Sequence, residues 1–574
     1  MNALPFREIW LCDFEFAAPD GERPTVRCMV ALELRSGKLL RLWDPAPSSE
    51  SPIRRGPDVL FVAYFASAEL GCYLSLGWPM PTYVLDLYVE FKRMTCGKEH
   101  EPGKPSLVYA LDWFGLESLD ITEKDEMREL ALRPGEYTHE ERQALTDYCE
   151  RDVRALERLL PRMLSSIDLP RAVLRGQFMK AVACMEHNGI PIDMPTLRLL
   201  NEHWETLKAE LVGTIDAQFK VYDGTHFREE RFYQYLASHD IPWPRHSSGE
   251  LCLDDDAFGD MAKVYPVLQP LRHLRQMMAM LHLANLPVGN DGRNRFLFSP
   301  FGTITGRCTP STTRFIFSRP AWMRSLIRPE EGKALAYIDW SSQEYGIGAA
   351  LSGDGAMLAD YEAGDPYLGF AKRIGMVPND ATKETHRQER DIVKAVILGT
   401  QYGMGEQSLA ARIGKSVAHA RELLRMHRRT YRKFWTWSDA AVNCALFGGR
   451  LWTRFGWQTH PKDEPNARSL ANFPCQGNAA DMLRLAAQFI VEDGPQLDAT
   501  IHDAVLIEAK VADIDAAVGK TQEAMRKASR LVLDGFELRS EPEVIAWPHR
   551  YSDTRGAAFF AELMSRLDAA RKGA

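Results

Sequence analysis

The amino-acid sequence predicts a multidomain protein that combines α/β and α+β architecture. Its 574 residues are too many for one hydrophobic core, so about two to four domains are expected. Residues up to about 165 alternate short apolar strands with helical stretches, which is typical of an α/β domain. The pattern becomes mainly helical from about Val173 to Leu286, and strands and helices mix again after Arg293.

The individual elements follow from apolar periodicity and from breakers. The N-terminal strand is Ile9–Phe16, which is apolar except for Asp13 and Glu15. The later elements are a break at 189–193 (GIPID), a loop at 241–249 (IPWPRHSSG), a strand ending at Asp339, a helix over Arg390–Gly403, a hairpin over 448–457, a helix from about Gln476, a strand pair around His502–Asp503, an amphipathic helix over Asp513–Val532, and a last strand at EVIAW that closes the chain.

Composition excludes several classes of protein. The chain has 45% hydrophobic and 26% charged residues and no run of 18 apolar residues, which predicts no membrane span. Acidic residues near the N-terminus argue against a signal peptide. The ten cysteines include no C-x2-C pair, which indicates free thiols in a reducing cytoplasm.

The net charge of −8 argues at first against nucleic-acid binding, because phosphate contacts need lysine and arginine. An enzyme that holds divalent metals, however, needs clustered carboxylates, and basic residues can collect on one face. Arg272–Arg275 and Arg425–Lys433 are such basic runs, although each is equally consistent with a solvated helix face.

The segment Arg390–Gly403 (RDIVKAVILGTQYG) carries the most chemical information. Arg390, Lys394, Leu398 and Tyr402 recur every fourth residue and would share one helix face. That face spans about 18 Å at 1.5 Å per residue, which suits a triphosphate at one end and a base pair at the other. Fixed cations match phosphate oxygens, and a flat ring stacks on a base. The alternative is an amphipathic helix with two solvated basic residues.

One apolar strand ends in an aspartate, and a second apolar run is interrupted by a histidine and an aspartate. Ala334–Glu344 (ALAYIDWSSQE) contains Asp339, and Thr500–Glu508 (TIHDAVLIE) contains Asp503. A buried acid is costly unless it meets a cation. Taken alone, each pattern favours a hydrogen-bonded turn aspartate over a metal ligand.

Together with TITGR at 303–307 and RSLANFPCQGNAAD at 468–481, these segments resemble the ordered motifs of family A DNA polymerases. The resemblance covers about residues 8 to 560. It implies a right-hand polymerase domain with thumb, palm and fingers, a primer–template DNA and dNTPs as partners, and two Mg²⁺ ions per active site, for which Mn²⁺ can substitute.

The resemblance also implies roles for individual residues. Asp339 and Asp503 would hold the metals, while Arg390 and Lys394 bind the triphosphate. Glu344 falls where the family keeps its ribose gate, which implies a preference for deoxynucleotides. Further nucleotide contacts are implied for Gln343, Leu398 and Tyr402, and DNA contacts for Thr305, Arg307, Arg468, Asn472, Gln476 and His502.

Some positions depart from the family pattern. Ala504 stands where the third residue of the family's H-D-E motif is usually Glu, Leu398 replaces a ring, and Tyr367 falls where a histidine usually meets the triphosphate. Trp457 and Gln458 stand where two arginines are common. These departures predict slow or unusual polymerisation.

The N-terminal segment resembles DEDD-type 3′–5′ exonucleases, which have an RNase H-like fold. Asp13 and Glu15 form D-x-E on a strand, and Tyr148 and Asp152 form Y-x3-D on a helix. Two metals held by Asp13, Glu15 and Asp152 would then activate water. The second motif is weaker, since Glu69 and Phe65 replace Asp and Asn. Asp86 matches another aspartate of that fold, which is not usually a ligand.

The predicted division is an exonuclease-like domain (1–172), a thumb (173–290), a first palm segment (291–355), fingers (356–450) and a second palm segment (451–574). We expect a monomer without a 5′-nuclease domain, as in phage-like members; any processivity factor remains unidentified. Three alternatives stay open: a polymerase with an inactive exonuclease, an exonuclease whose polymerase half only binds DNA, and a non-catalytic binding module.

Overall fold

A computed structural model describes residues 4–47, 50–98, 105–117, 121–280, 286–460 and 466–573. The fold is mixed α and β with many helices, as the sequence predicts. Contacts divide the chain into two compact units. The first contains Met1–Gly189, Arg295–Pro310 and Gly332–Val544, and the second contains Ile190–Asn294, Ser311–Glu331 and Ile545–Ala574.

The helices, in chain order, are α1 Ser67–Ser75, α2 Leu87–Thr95, α3 Leu107–Trp113, α4 Ile121–Leu132, α5 His139–Met163, α6 Leu169–Asn188, α7 Met194–Phe219, α8 Glu229–Ser238, α9 Asp255–Val264, α10 Gln269–Met280, α11 Gln343–Ser352, α12 Gly355–Glu362, α13 Pro366–Arg373, α14 Arg387–Gln401, α15 Glu406–Ile413, α16 Val417–Thr430, α17 Arg432–Leu446, α18 Ala467–Asp493, α19 Ile514–Val532 and α20 Ala557–Gly573.

The strands are β1 Glu8–Ala17, β2 Thr25–Glu33, β3 Leu39–Trp43, β4 Val59–Ala63, β5 Tyr83–Asp86, β6 Ile190–Pro191, β7 Tyr222–Asp223, β8 His226–Phe227, β9 Arg293–Asn294, β10 Phe298–Ser299, β11 Thr309–Pro310, β12 Lys333–Trp340, β13 Leu451–Trp452, β14 Gln458–Thr459, β15 Gln496–Ile501, β16 Ala504–Lys510 and β17 Ser540–Ala546.

The N-terminal sheet has the order β3-β2-β1-β4-β5. Strand β1 pairs antiparallel with β2 and parallel with β4, so it lies at the centre. Most of its apolar side chains are buried, and Ile9 and Leu11 belong to one core with residues of β4, β5 and helix α5. This arrangement confirms the predicted buried strand, in which Asp13 and Glu15 are the polar positions between Ile9 and Phe16.

Helix α6 belongs to the same unit and lies very close to strand β5. A Cβ atom on Gly176 would stand 1.9 Å from the Val84 carbonyl oxygen, so only glycine fits this approach. A buried ion pair accompanies it: Arg175 donates to both Glu90 oxygens at 2.6 and 2.9 Å, and Arg93 donates to the same carboxylate at 3.0 Å. The first compact unit therefore extends to Gly189, whereas the predicted exonuclease-like domain ends at 172. That functional division stays a prediction.

A second sheet has the order β15-β16-β12-β17. Strands β12 and β16 are antiparallel, with Asp339 opposite Ala504. The turn between β15 and β16 consists of His502 and Asp503, and His502 has a left-handed φ of 56°. The predicted strand pair, the hairpin near 448–457 and the helix ending at Val532 are all confirmed. The helix predicted from about Gln476 begins earlier, at Ala467.

The second unit is built mainly from helices α7 to α10 and α20. Asp193 caps α7, accepting from the Thr196 amide, and also accepts from Arg550 at 2.9 Å. The expectation that the chain closes on the strand at EVIAW is wrong, because α20 follows it. Leu563 and Leu567 are buried on that helix with a spacing of four, a short signal that the sequence pattern left unused.

Among the residues placed by the structure, no helix combines the length and apolar character needed to cross a membrane. The ten cysteines are free thiols, as predicted.

Candidate active site

Asp339 and Asp503 come together at neighbouring strand ends. The Trp340 amide donates to the Asp503 carbonyl at 3.4 Å, and Asp339 lies opposite the residue that follows Asp503. Burial, then the charge of Asp503, then that of Glu541, raise the pKa of Asp339 to about 6. Burial also raises the pKa of Asp503. Two half-buried carboxylates therefore repel each other in a place that favours a bound cation.

This pair fits a hard divalent cation. Carboxylate oxygens are the protein ligands of Mg²⁺, which takes one or two of them and fills its remaining positions with water and substrate phosphates. Within the described ranges, no group of three His, Cys, Asp or Glu side chains could hold a metal ion. A two-aspartate site is consistent with that finding, because the substrate supplies the missing oxygens.

Glu344, in the first turn of α11, is clamped from two sides. Arg307 donates to one carboxylate oxygen at 2.9 Å, and the Tyr402 hydroxyl donates to the other at 2.6 Å. The charge of Glu344 contributes to the raised pKa of Asp503. Gln343 is buried beside it, and its side-chain nitrogen makes no hydrogen bond within the described structure. Three predicted site residues, Glu344, Arg307 and Tyr402, thus lie within electrostatic reach of Asp503.

Helix α14 carries Arg390, Lys394 and Leu398 at intervals of one turn, as predicted. Tyr402 lies just past the helix end at Gln401, so the predicted helix is two residues too long. The Tyr402 amide still donates to the Leu398 carbonyl at 3.1 Å, which keeps the ring on the same side. Arg390 makes an ion pair with Asp365 that the sequence did not predict.

The turn at 303–307 places Arg307. The Thr303 hydroxyl accepts from the Arg307 amide at 3.0 Å and shares a hydrogen bond with the Thr305 hydroxyl at 3.0 Å. Trp457 supports the turn from below: its indole donates to the Ile304 carbonyl at 2.9 Å and stacks on Phe301 at 4.9 Å.

The close packing extends to the glycine of the turn. A Cβ on Gly306, whose φ is 72°, would stand 3.0 Å from three atoms of the Trp457 ring. Trp457, identified from the sequence only as a departure, is therefore a buried support of the turn. The sequence signal that could have indicated this role is the position of a large aromatic residue, Trp457, directly after Gly456.

Helix α18 presents Arg468, Asn472 and Gln476 at intervals of four residues. Asn472 and Gln476 line a cavity of about 280 Å³ that Glu344 also borders. Arg468 is exposed, and its side chain packs against Gly403, where a Cβ would stand 2.9 Å from its Cγ. His502 is exposed at its turn.

A second group of acids lies on the N-terminal sheet. Asp13 and Glu15 are on β1, Tyr148 and Asp152 on α5, and the Cys149 thiol donates to the Asp13 carbonyl at 3.3 Å. Burial raises the pKa of Tyr148, and the charges of Asp152, Glu15 and Asp13 raise it further. The charges of Asp13, Glu15 and Asp152 therefore all act on Tyr148.

Glu69 on α1 is fully enclosed. Its pKa is raised well above the usual range by burial and then by the charge of Asp13, which favours the neutral acid. Asp86 has a different function: its carboxylate accepts from the amides of Phe65, Ala66 and Tyr88 at 2.8 to 3.1 Å. It fixes the turn before α1 and caps α2, a role fulfilled entirely by backbone contacts.

Comparison with known proteins identifies the same family that the sequence motifs resemble. A family model described as "DNA polymerase family A" matches residues 246–539, just over half of the chain. DNA polymerase I of Aquifex aeolicus (strain VF5) is 24% identical over 408 residues, covering 66% of this chain and 68% of that protein. DNA polymerase I of Chloroflexus aurantiacus is 24% identical over 426 residues, covering 67% and 43%.

The thermostable DNA polymerase I of Thermus caldophilus is 25% identical over 297 residues, covering 48% of this chain and 35% of that protein. The chain thus spans about two thirds of the first relative and less than half of the other two. A solved structure, the POL domain of Pol1 from M. smegmatis in complex with DNA primer-template and dNTP, has a TM-score of 0.65 at 19% identity and covers 95% of this chain and 96% of its own. That likeness is one of fold.

Proposed function

This chain belongs to DNA polymerase family A, and from that premise we propose that it adds deoxynucleotides to a primer 3′-hydroxyl under the direction of a DNA template. The observation that carries the proposal is the pairing of Asp339 and Asp503 on adjoining strand ends, within electrostatic reach of the clamped Glu344.

The residues divide the work. Asp339 and Asp503 would hold two Mg²⁺ ions, with Mn²⁺ as a substitute. Magnesium bound there would lower the pKa of the primer hydroxyl and neutralise charge on the triphosphate and the leaving pyrophosphate. Arg390 and Lys394 would contact triphosphate oxygens. Glu344, fixed by two hydrogen bonds, would crowd a 2′-hydroxyl and so favour deoxynucleotides.

The DNA contacts are proposed for residues around this centre. Arg307 and Thr305 would lie near the primer terminus, and Arg468, Asn472 and Gln476 form one face of α18. Amide and guanidinium groups can reach minor-groove acceptors that all base pairs share, so these contacts do not depend on sequence. His502 is exposed where the same duplex would pass.

Primer extension tests the proposal. A labelled primer–template with Mg²⁺ and dNTPs should be extended by the wild-type chain, and Asp339→Asn or Asp503→Asn should reduce the rate by about 10³-fold, since each removes metal stabilisation worth several kcal/mol. Asp515→Asn changes an exposed carboxylate on α19 and serves as the control. Extension that survives both site variants would contradict the assignment; absence of extension by the wild type would favour a DNA-binding role.

A second candidate function, 3′–5′ exonuclease activity, is favoured by the position of Asp13 and Glu15 on β1 and of Asp152 on α5, where the charges of all three act on Tyr148. Within the described residues no group of three His, Cys, Asp or Glu side chains could hold a metal ion, so the assignment of Asp13, Glu15 and Asp152 as metal ligands stays a prediction from the resemblance. Shortening of a labelled single strand that is lost in Asp13→Ala would establish the activity. No shortening would indicate that this sheet is an inactive scaffold, and shortening that persists in Asp13→Ala would contradict the assignment of the activity to Asp13.

A further inference from the structure

The buried ring of Tyr367 lies beneath the two cations of helix α14. The Arg390 guanidinium carbon is 5.2 Å from the centre of the ring, and the Lys394 ammonium is 5.7 Å from it. Both distances fall within the range of about 6 Å over which a ring face attracts a cation. We propose that Tyr367 is a positioning residue that holds Arg390 and Lys394 in place for the triphosphate, an inference that rests on the proposed function.

Tyr367 is itself rigidly held. Only 6% of the residue is exposed, on the first turn of α13. The Ser342 hydroxyl donates to the tyrosine hydroxyl at 3.4 Å, so its polar atom faces the turn after Asp339 and its ring face remains for the cations. A ring fixed in this way acts through its neighbours and leaves the phosphate contacts to them.

Asp365 adds a second constraint on Arg390. One oxygen of its carboxylate caps α13, accepting from the amides of Tyr367 and Leu368 at 3.0 and 3.2 Å. The other accepts from the Arg390 guanidinium. Arg390 therefore lies between a carboxylate and an aromatic face, and 15% of its side chain is exposed.

The start of α13 is anchored in turn. Arg539 donates to the carbonyls of Tyr361 and Gly364 at 2.7 and 2.9 Å, just before Asp365. Arg539 directly precedes strand β17, so the start of α13 is tied to the second sheet next to strand β12, which carries Asp339.

The consequence is a lower cost of binding. A free arginine or lysine loses side-chain entropy when it grips a phosphate, and a side chain that is already ordered loses less. Two cation–π contacts at a partly exposed site correspond to about 5- to 30-fold in affinity. We assign that factor to nucleotide binding, and expect turnover at saturating nucleotide to change little.

Single-nucleotide insertion kinetics test the inference. Tyr367→Leu, which removes the ring face, should raise KM for dNTP by about 5- to 30-fold with kcat within about 3-fold. Tyr367→Phe keeps the face and should stay within about 3-fold of wild type in both constants. Phe370→Leu removes a buried ring on the same helix that packs on His427 and Tyr431, and should leave KM unchanged.

Equilibrium binding of dATP with Mg²⁺, without primer, separates this inference from the proposed function. Weaker dATP binding by Tyr367→Leu supports the inference even if the wild type extends no primer. The inference is overturned if Tyr367→Leu retains wild-type KM and dATP affinity, if Tyr367→Phe loses as much as Tyr367→Leu, if Phe370→Leu raises KM equally, or if the wild type binds no dATP.

Discussion

Replacing Trp457 by phenylalanine should loosen the turn at 303–307 that presents Arg307. The substitution removes the indole donor to the Ile304 carbonyl and part of the ring that fills the space beside Gly306. Loss of one partly buried hydrogen bond costs about 1 to 3 kcal/mol. If that cost falls on local opening, the open state becomes about 5- to 150-fold more populated.

Hydrogen exchange of the turn amides measures this directly. The amides of Gly302 and Gly306 donate to the carbonyls of Arg307 and Thr303 at 2.8 and 2.9 Å, so their protection reports whether the turn is closed. In Trp457→Phe, peptides covering residues 300–309 should exchange faster by the factor above, read by mass spectrometry under conditions where exchange follows the opening equilibrium.

Trp452 provides a matched control in the same hairpin, since 66% of it is exposed. Trp452→Phe should change exchange in the turn by less than about 2-fold, because an exposed ring loses little on truncation. Unchanged protection in Trp457→Phe, or equal loosening in the two variants, would refute the assignment of Trp457 as the support of this turn.

Three stability predictions follow from buried groups. Burial and then the charge of Arg428 lower the pKa of His427 to about 3, so the folded state binds no proton there near neutral pH. The free energy of unfolding should therefore fall as the pH drops below about 6.5, by about 1.4 kcal/mol per pH unit. The free energy of urea unfolding of the wild type minus that of His427→Phe, which lacks this titrating group, should decrease from pH 7 to pH 5, and a constant difference would disprove the effect. Glu90→Gln should lower the free energy of unfolding by about 3 kcal/mol, because two buried arginines lose their counter-charge. Glu157→Gln, which removes one partner of an ion pair whose two side chains are both exposed, should lower it by less than about 1 kcal/mol. Similar unfolding midpoints of the two variants would exclude this difference. Gly176→Ala should destabilise the fold by about 3 kcal/mol through a clash with a backbone carbonyl. Gly213→Ala, with open space at its Cβ, should stabilise it slightly. An unchanged or higher unfolding temperature of Gly176→Ala, or a lower one of Gly213→Ala, would contradict this prediction.

The sequence predicted those features that depend on local pattern. The apolar runs around Asp339 and Asp503 predicted that both lie at strand ends. The four-residue spacing of Arg390 and Lys394 predicted that they share one helix face. Such signals survive because strand alternation and helix period are set by neighbouring residues.

Long-range partners could not be predicted in this way. Asp365 lies 25 residues before Arg390, and the indole of Trp457 meets a carbonyl 153 residues away, so no window of sequence contains both members. Helix α20 was missed although Leu563 and Leu567 carry a helical spacing, because the strand-like EVIAW was taken as the last element. The roles of individual site residues, and the functional domain borders, remain predictions from resemblance.

The close packing of α6 on strand β5 constrains how the sequence of this protein can evolve. The helix contacts α18, and Arg175 donates to the Phe455 carbonyl at 3.2 Å, so the N-terminal sheet contributes to the support of the polymerase half. Helix α18 is buried on every side along its middle, from Gly477 to Gln488. If the proposed exonuclease activity at Asp13 were lost in a lineage, selection would therefore still keep the sheet, and mutation should replace its carboxylates before its core residues.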